Sequence, residues 1–549
     1  MSVPSVPPVP APTSAWAPLR VGAYRALWIA LLVSNIGTWM QTVGAQWLLV
    51  DSPSADTLVA LVQTASMLPV LIFALPAGVL ADTLDRRRLL IGVQVFQTGV
   101  AVVLAVLTLA DQMGPALLLT LTFTLGAGAA LMLPAWQALI PDLVPRQDLP
   151  AASALGAINM NAARAIGPAI AGVLIAWAGV GVVFVVNAAT FVAFALVLLF
   201  WRPPSGERER RDRERFNAAL RAGGRYVRHS LVVRRILLRA TLFLVPGSAL
   251  WALLPLVASR RLHLSASGYG LLLGALGVGA VVGAVLMPPL RRRLSTNGIL
   301  VASGVAYGLA LLVVGVVPNT IAVLAVLLPA GAAWIATLST TNAAMQLFLP
   351  GWVRARGLSV YQIIFAGSLG VASFGWGLLT DLTNLVVAFA AAGAVMLAGT
   401  ATMRRWPLMD TSGVDSSPAV YWPQPDLSLE PDPRTGPILV TAQYTVEPAN
   451  EVAFLEAMAW VGRSRRRTGA TRWGLFREGE TPSRFVELYL VPTWEEHLRQ
   501  HSGRLTGADR DREEQALSLA VGEPVVAHLF PAEAPDETDD DERYVEPPT

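Results

Sequence analysis

The chain has 549 residues, of which 54% are hydrophobic and only 14% charged, with a mean hydropathy of +0.52. A soluble domain carries roughly 25% charged residues, so the composition excludes a single soluble globule and points to many membrane crossings. The formal charge of +3 rests on arginine alone, because there is no lysine, and the lack of cysteine excludes disulfides and thiol chemistry.

In chain order, residues 1–20 are rich in Pro, Ser and Val with no basic residue before Arg20. They read as a disordered cytoplasmic tail rather than a secretory signal. Apolar runs of spanning length, about 20 residues each, follow at 24–49, 57–81, 89–110, 115–138, 151–177, 181–201, 239–258, 267–290, 297–317, 320–345, 356–380 and 384–403. With the N-terminus inside, Arg86 to Arg88, Arg146, the run from Arg202 to Arg239, Arg291 to Arg293, Arg354, Arg356, Arg404 and Arg405 all fall on the cytoplasmic side. Only Arg260 and Arg261 fall outside. This bias predicts twelve spans, both termini in the cytoplasm and residence in the cytoplasmic (inner) membrane. Arginines confined to loops leave no nucleic-acid face, so the expected partners are a lipid bilayer and a small-molecule substrate.

The stretch from Gly78 to Arg88 is a tight charged turn between spans 2 and 3, and its spacing recurs where Gly283 precedes Arg291 to Arg293. Gln137, Pro141 and Val144 recur as Gln346, Pro350 and Val353. Residues 202–238 form the longest connection, opening with the mixed-charge run Arg208 to Arg215 and continuing as an amphipathic piece to Ile236. A charged helix on the inner leaflet is expected there. The expected architecture is all-α membrane, with twelve transmembrane helices in two six-helix pseudo-repeats, 21–201 and 239–405. The site of such a two-lobed transporter lies at midplane between the lobes.

These motifs resemble the major facilitator superfamily over about residues 20–405. Gly78, Asp82, Arg86 and Arg87 fall on that superfamily's loop motif between spans 2 and 3, while Thr83 and Asp85 depart from it. The resemblance implies a conformational latch between the halves; read without it, the arginines are topology anchors. In span 5, Gly156, Gly167, Pro168 and Gly172 resemble the antiporter motif of drug-efflux branches, with Ala163 and Ala171 in place of Gly. Small residues there allow close helix packing and Pro168 a kink, which any membrane helix can use. Thr122 stands where such antiporters carry an intramembrane Arg, so that arginine's role does not carry over. Ser34 to Gln41, Pro134 to Gln137 and Asn161 to Pro168 resemble bacterial exporters of the transmembrane secretion effector type, similar to the enterobactin exporter and macrolide efflux proteins.

Four polar side chains are candidates for a cavity: Asn35, Gln41, Gln46 and Arg164. The amides serve equally well as helix-to-helix bonds. Arg164 lies about 20 Å into span 5 at about 1.5 Å per residue, near midplane, with no Asp or Glu at its depth. It either bonds carbonyls freed near Pro168, reaches a carboxylate nearer the surface, or meets an anionic group of the substrate.

Residues 406–435 are rich in Pro, Asp and Ser and read as a linker. Residues 436–531 have soluble composition and read as strand-helix-strand-strand-helix-strand, the order of a small α+β ferredoxin-like domain. This part resembles the antibiotic biosynthesis monooxygenase-like αβ-barrel domain, which implies self-association as a dimer. Trp473, Trp494, His497 and His501 suggest cofactor-free oxygenase chemistry, but no carboxylate or metal spacing accompanies them, and a structural role is favoured. Residues 532–549 form an acidic disordered tail. No cofactor, metal site or catalytic residue is expected. The function expected is secondary active, ion-coupled export of a drug, siderophore or secondary metabolite by alternating access. The alternatives are an uptake carrier of the same fold, which the span-5 motif opposes, and a membrane-tethered monooxygenase-like enzyme, for which twelve spans are far more than an anchor needs.

Overall fold

Twelve helices are long and apolar enough to cross a membrane among the residues described in the computed structural model, which are 14, 16–202, 216–411, 415, 419, 427–428 and 431–532. In chain order they are α1 (Gly22–Leu48), α2 (Ala55–Thr83), α3 (Arg86–Leu109), α4 (Pro115–Leu143), α5 (Leu149–Ala178) and α6 (Val180–Phe200). After the short α7 (Phe216–His229) come α8 (Leu231–Leu256), α9 (Ala266–Arg293), α10 (Thr296–Val316), α11 (Thr320–Phe348), α12 (Gly351–Leu382) and α13 (Leu385–Ala401). Side-chain caps set several starts. Asp85 accepts from Arg88 N at 2.9 Å, Ser295 from Gly298 N at 3.1 Å and Asn384 from Val387 N at 3.0 Å. A single glycine, Gly179 at φ +81°, separates α5 from α6; a left-handed residue stops the helix, and glycine adopts it without a Cβ clash.

The seventh span differs from the sequence expectation. It begins at Leu231 rather than near 239, because Ser230 breaks the amphipathic piece and accepts from Val233 N at 3.4 Å. The arginines that masked this start do structural work. Arg239, 4% exposed, bonds Gly399 O at 3.0 Å, Thr402 O at 3.0 Å and Trp406 O at 2.6 Å, closing the C-terminal end of α13.

The chain forms two compact units. The first comprises Met1–Arg211, Arg235–Ala344 and Ser359–Leu408 and holds the membrane helices. At one end of α1, α3, α4 and α6 a buried cluster of Tyr24, Leu27, Leu90, Trp136 and Phe194 fills the space between them.

The second unit comprises Asp212–Arg234, Met345–Leu358 and Met409–Thr549. It contains a four-stranded sheet: β1 (Ile438–Thr445), β2 (Arg472–Arg477), β3 (Arg484–Val491) and β4 (Val525–Leu529). The order is β2-β3-β1-β4 and each pairing is antiparallel. Helix α14 (Glu451–Thr468) joins β1 to β2, and α15 (Trp494–Arg499) and α16 (Gly507–Leu517) lie between β3 and β4. Alternation in β1 sends Ile438, Val440, Ala442 and Tyr444 inward, the last two against Phe454, Met458 and Val461 of α14. Helix α16 starts on a reciprocal capping box between Thr506 and Asp509.

Candidate functional site

Helix α5 brings Arg164 to the junction between the first six and the last six membrane helices. Three residues further on, a Cβ added at Gly167 would lie 2.7 Å from Trp39 Cβ and 2.9 Å from Ile36 O. This close approach sets α1 beside α5 and places the Trp39 ring 5.3 Å from the Arg164 guanidinium. From the other side Trp251 of α8 lies 5.8 Å away. Trp39 and Trp251 are themselves 5.7 Å apart, and the aromatic set continues through Trp334 at 5.3 Å from Trp251, then Tyr307 and Phe243. Both tryptophans are within the roughly 6 Å range of cation–π attraction. Among the described residues no carboxylate pairs with Arg164, and its Nε has no hydrogen-bond partner. Of the three readings of Arg164, bonds to carbonyls near Pro168 and a pair with a carboxylate are not made among the described residues; aromatic faces lie beside it instead.

The three amides make helix-to-helix bonds. Asn35 donates to Asn159 at 2.8 Å, and Asn159 donates to Trp28 O at 2.9 Å. Gln41 accepts from Asn187 of α6. Gln46 donates to Trp251 O at 3.0 Å and accepts from the Tyr269 hydroxyl at 2.7 Å, so it ties α1 to α8 and α9. Tyr269 and the five aromatic rings near Arg164 carried no single-residue signal in the sequence.

The span-5 small residues divide in two. Gly167 meets α1, and Gly172 meets α9: a Cβ there would lie 2.8 Å from Ala266 O and 2.9 Å from Gly270 Cα. The carbonyl of Pro168 would lie 2.9 Å from a Cβ at Gly270. Gly156 has nothing within 4 Å of an added Cβ. A second seam joins α2 to α12, where a Cβ at Gly377 would be 2.5 Å from Ala60 Cβ and Thr64 donates to Gly370 O at 2.7 Å. Arg260 pairs with Asp56 at 2.7 Å at the end of that seam.

At the opposite end of α2, Arg86 pairs with Asp142 of α4 at 2.9 Å, and both side chains are exposed to a third or more. Arg87 donates to Leu198 O at 2.9 Å and Leu199 O at 2.6 Å, capping α6. Gly78 and Asp82 lie in α2, but their side chains are outside the described residues.

In the second unit Trp473, Trp494, His497 and His501 do not share one pocket chemistry. Trp473 Nε1 donates to the buried Glu487 at 2.8 Å; Arg465 bonds the same carboxylate at 3.3 Å and Glu513 at 2.5 Å. His497 lies 3.0 Å from His528, nitrogen to nitrogen, and its ring is 4.7 Å from His501 and 5.3 Å from Trp494. Burial first, then the neighbouring His528 and Arg465, push His497 down to about 3. Burial and Arg465 push His501 to about 2. Burial thus favours the neutral form of both imidazoles at physiological pH, and no three His, Asp or Glu among the described residues form a metal-binding set. His528 was the member of this cluster that the sequence did not single out.

Comparison with known proteins agrees with the geometry. The chain is similar to the staphyloferrin A transporter of Staphylococcus aureus, 24% identical over 65% of this chain and 89% of that protein. It is 27% identical to the enterobactin exporter of Citrobacter koseri, over 69% and 90%, and 23% identical to macrolide efflux protein A of Streptococcus pyogenes, over 46% and 66%. Among solved structures, an inward-facing bacterial homolog of the human lysosomal transporter Spinster has a TM-score of 0.56 at 16% identity, covering 71% of this chain and 95% of that one. These relatives are transporters, not enzymes, and the solved structure shares the fold. The family described as transmembrane secretion effector matches residues 13–536, running through the C-terminal sheet as well as the membrane helices. The chain is a multi-pass membrane transporter and belongs to the transmembrane secretion effector family of the major facilitator type.

Proposed function

We propose that the chain is a secondary active exporter that carries a small acidic molecule across the cytoplasmic membrane by alternating access. The observation that carries this reading is Arg164, a cation held between Trp39 and Trp251 with no carboxylate of its own among the described residues. A cation, flanking aromatic faces and an unbonded Nε suit a ligand with an anionic group on a flat frame. The named cargoes of the relatives, siderophores and macrolides, set the range to be tested. The two six-helix parts meet along α5–α9 and α2–α12, and these small-residue seams supply surfaces on which they rock as a pseudo-symmetric pair. Gly78, Asp82, Arg86 and Arg87 form the latch, and ion coupling follows the family; both termini lie in the cytoplasm.

The C-terminal region is a ferredoxin-like, monooxygenase-like domain without activity, which self-associates through its open sheet face. Leu439, paired with Leu490 and Leu529, lies on that face, and Leu529 is 50% exposed.

The test is accumulation of acidic and neutral candidate substrates in cells making the wild type, Arg164→Gln or Arg164→Lys at equal membrane levels. Charge-assisted bonds contribute about 1.5–3 kcal/mol, so Arg164→Gln lowers export of an acidic substrate about tenfold or more. Neutral substrates are spared, and Arg164→Lys retains part of the rate. Equal loss for both classes makes Arg164 structural, and no export of any compound by the wild type overturns the exporter reading itself.

A further inference from the structure

Glu496, 6% exposed, joins two stretches of the second unit that are far apart in sequence, Asp212–Arg234 and Met409–Thr549. Its carboxylate accepts two bonds from Arg504, at 2.7 and 3.0 Å, and one from Arg225 of α7 at 3.2 Å. Burial opposes this charge, but the bonds and charge of Arg504, with Arg225 and Arg499, hold it below the ordinary carboxylate range. Arg504 also lies 5.0 Å over the ring of Trp352, in the first turn of α12. Trp352 meets Tyr226 of α7 edge-on at 5.7 Å, and Arg467 of α14 covers Tyr226 at 5.5 Å. Tyr226 is 2% exposed. A Cβ added at Gly223 of α7 would lie 2.9 Å from Arg356 Cβ. Helix α7, the start of α12 and the C-terminal domain therefore interlock through charge-assisted bonds and arginine–aromatic contacts.

We propose that this interlock is a clamp by which the C-terminal domain restrains transport. Helix α7 lies in the single covalent connection between α6 and α8. Held against the start of α12, it leaves fifteen residues of chain, 201–215, between α6 and the held helix, instead of the thirty, 201–230, that precede α8. An extended residue reaches at most about 3.3–3.6 Å and a helical one about 1.5 Å, so pinning the 14-residue α7 takes about 20 Å from the excursion the connection permits. A contact that favours one arrangement of a rocking pair shifts its population toward that arrangement. The clamp stabilises the docked state and slows the cycle, and its release is the means by which the domain regulates export. The effect on rate rests on the exporter reading above; the docking does not.

The experiment uses the full chain with a protease site placed between residues 421 and 426. After cleavage in native membranes, the wild-type domain stays with the membrane part, and Arg225→Ala combined with Trp352→Ala releases it. Release of the wild-type domain on cleavage overturns the clamp. In uncleaved protein at equal membrane levels, the double variant exports at least threefold faster, and an unchanged or lower rate overturns the restraint. A second arm guards against misfolding. The chain has no cysteine, so Gly223→Cys with Arg356→Cys creates one bridge once the two Cβ atoms, 2.9 Å apart, relax to the usual separation of about 3.8 Å. Oxidation is expected to slow export at least threefold, with reductant restoring it; no difference between the two states overturns the proposal.

Discussion

Arg164 sets the physics at the residue scale. An arginine at mid-membrane costs about 2.5–3.5 kcal/mol on insertion scales. Two cation–π contacts offset about 0.5–2 kcal/mol each, between a small part and all of that cost. Under the proposed function a ligand anion adds to this compensation, so that the same residue would serve both folding and recognition. The proposed latch illustrates a different division of work. Arg87 bonds the α6 carbonyls and Arg86 bonds Asp142, and the resemblance to the superfamily's loop motif is what assigns Asp82 to the moving interface. Asp82→Asn is expected to insert at wild-type levels and to lower export at least fivefold. Normal efflux by a well-expressed variant removes Asp82 from the latch.

At the element scale the seams between helices rest on backbone approach. A Cβ at Gly277 would lie 2.5 Å from Ala165 Cα, and one at Gly172 would meet Gly270 Cα at 2.9 Å. Backbone cannot swing aside as a flexible side chain can, so added volume must separate α5 from α9. Overpacking of this kind costs about 1–3 kcal/mol. Gly172→Leu is therefore expected to abolish export while leaving the helices inserted, and Gly156→Leu, with open space around it, is expected to export normally. Paired measurements of export and surface expression check this; similar losses in both variants would mean that span-5 glycines serve flexibility rather than close approach.

At the scale of the whole molecule, the second unit links stability to pH. His497 and His501 stay neutral when folded, at about 3 and about 2, and His528 is lowered by burial. Unfolded histidine takes its proton near about 6.5. Below that value the unfolded state binds more protons, so the stability from each histidine is present above about 6.5 and lost as pH falls toward its folded value. Glu496, held down by its arginines, adds a loss in the same direction within the carboxylate range, whereas Glu513, pushed up by burial, acts in the opposite sense. The limiting slope is about 1.4 kcal/mol per pH unit for each histidine. Protection of residues 438–529 against proteolysis on heating is thus expected to fall between pH 7 and 5.5, and His501→Phe is expected to flatten the fall. A pH-independent profile would show that the imidazoles remain solvated.

The sequence by itself determined the twelve spans, because spanning length and hydropathy are local properties. It also marked Gly167 and Gly172 by spacing, and the strand and helix order of the C-terminal sheet by periodicity. Only the tertiary structure decided what Arg164 touches, since Trp39 and Trp251 are 125 and 87 residues away in the chain and look like ordinary apolar span residues. The start of the seventh span was hidden because arginines that bond buried carbonyls look the same in sequence as arginines that face water. The same holds for α7. Its charge and amphipathicity suited a lipid surface, yet Arg225 and Tyr226 are engaged by Glu496, Trp352 and Arg467. Amphipathic periodicity states that a helix has a face to bury, and only the folded chain states against what.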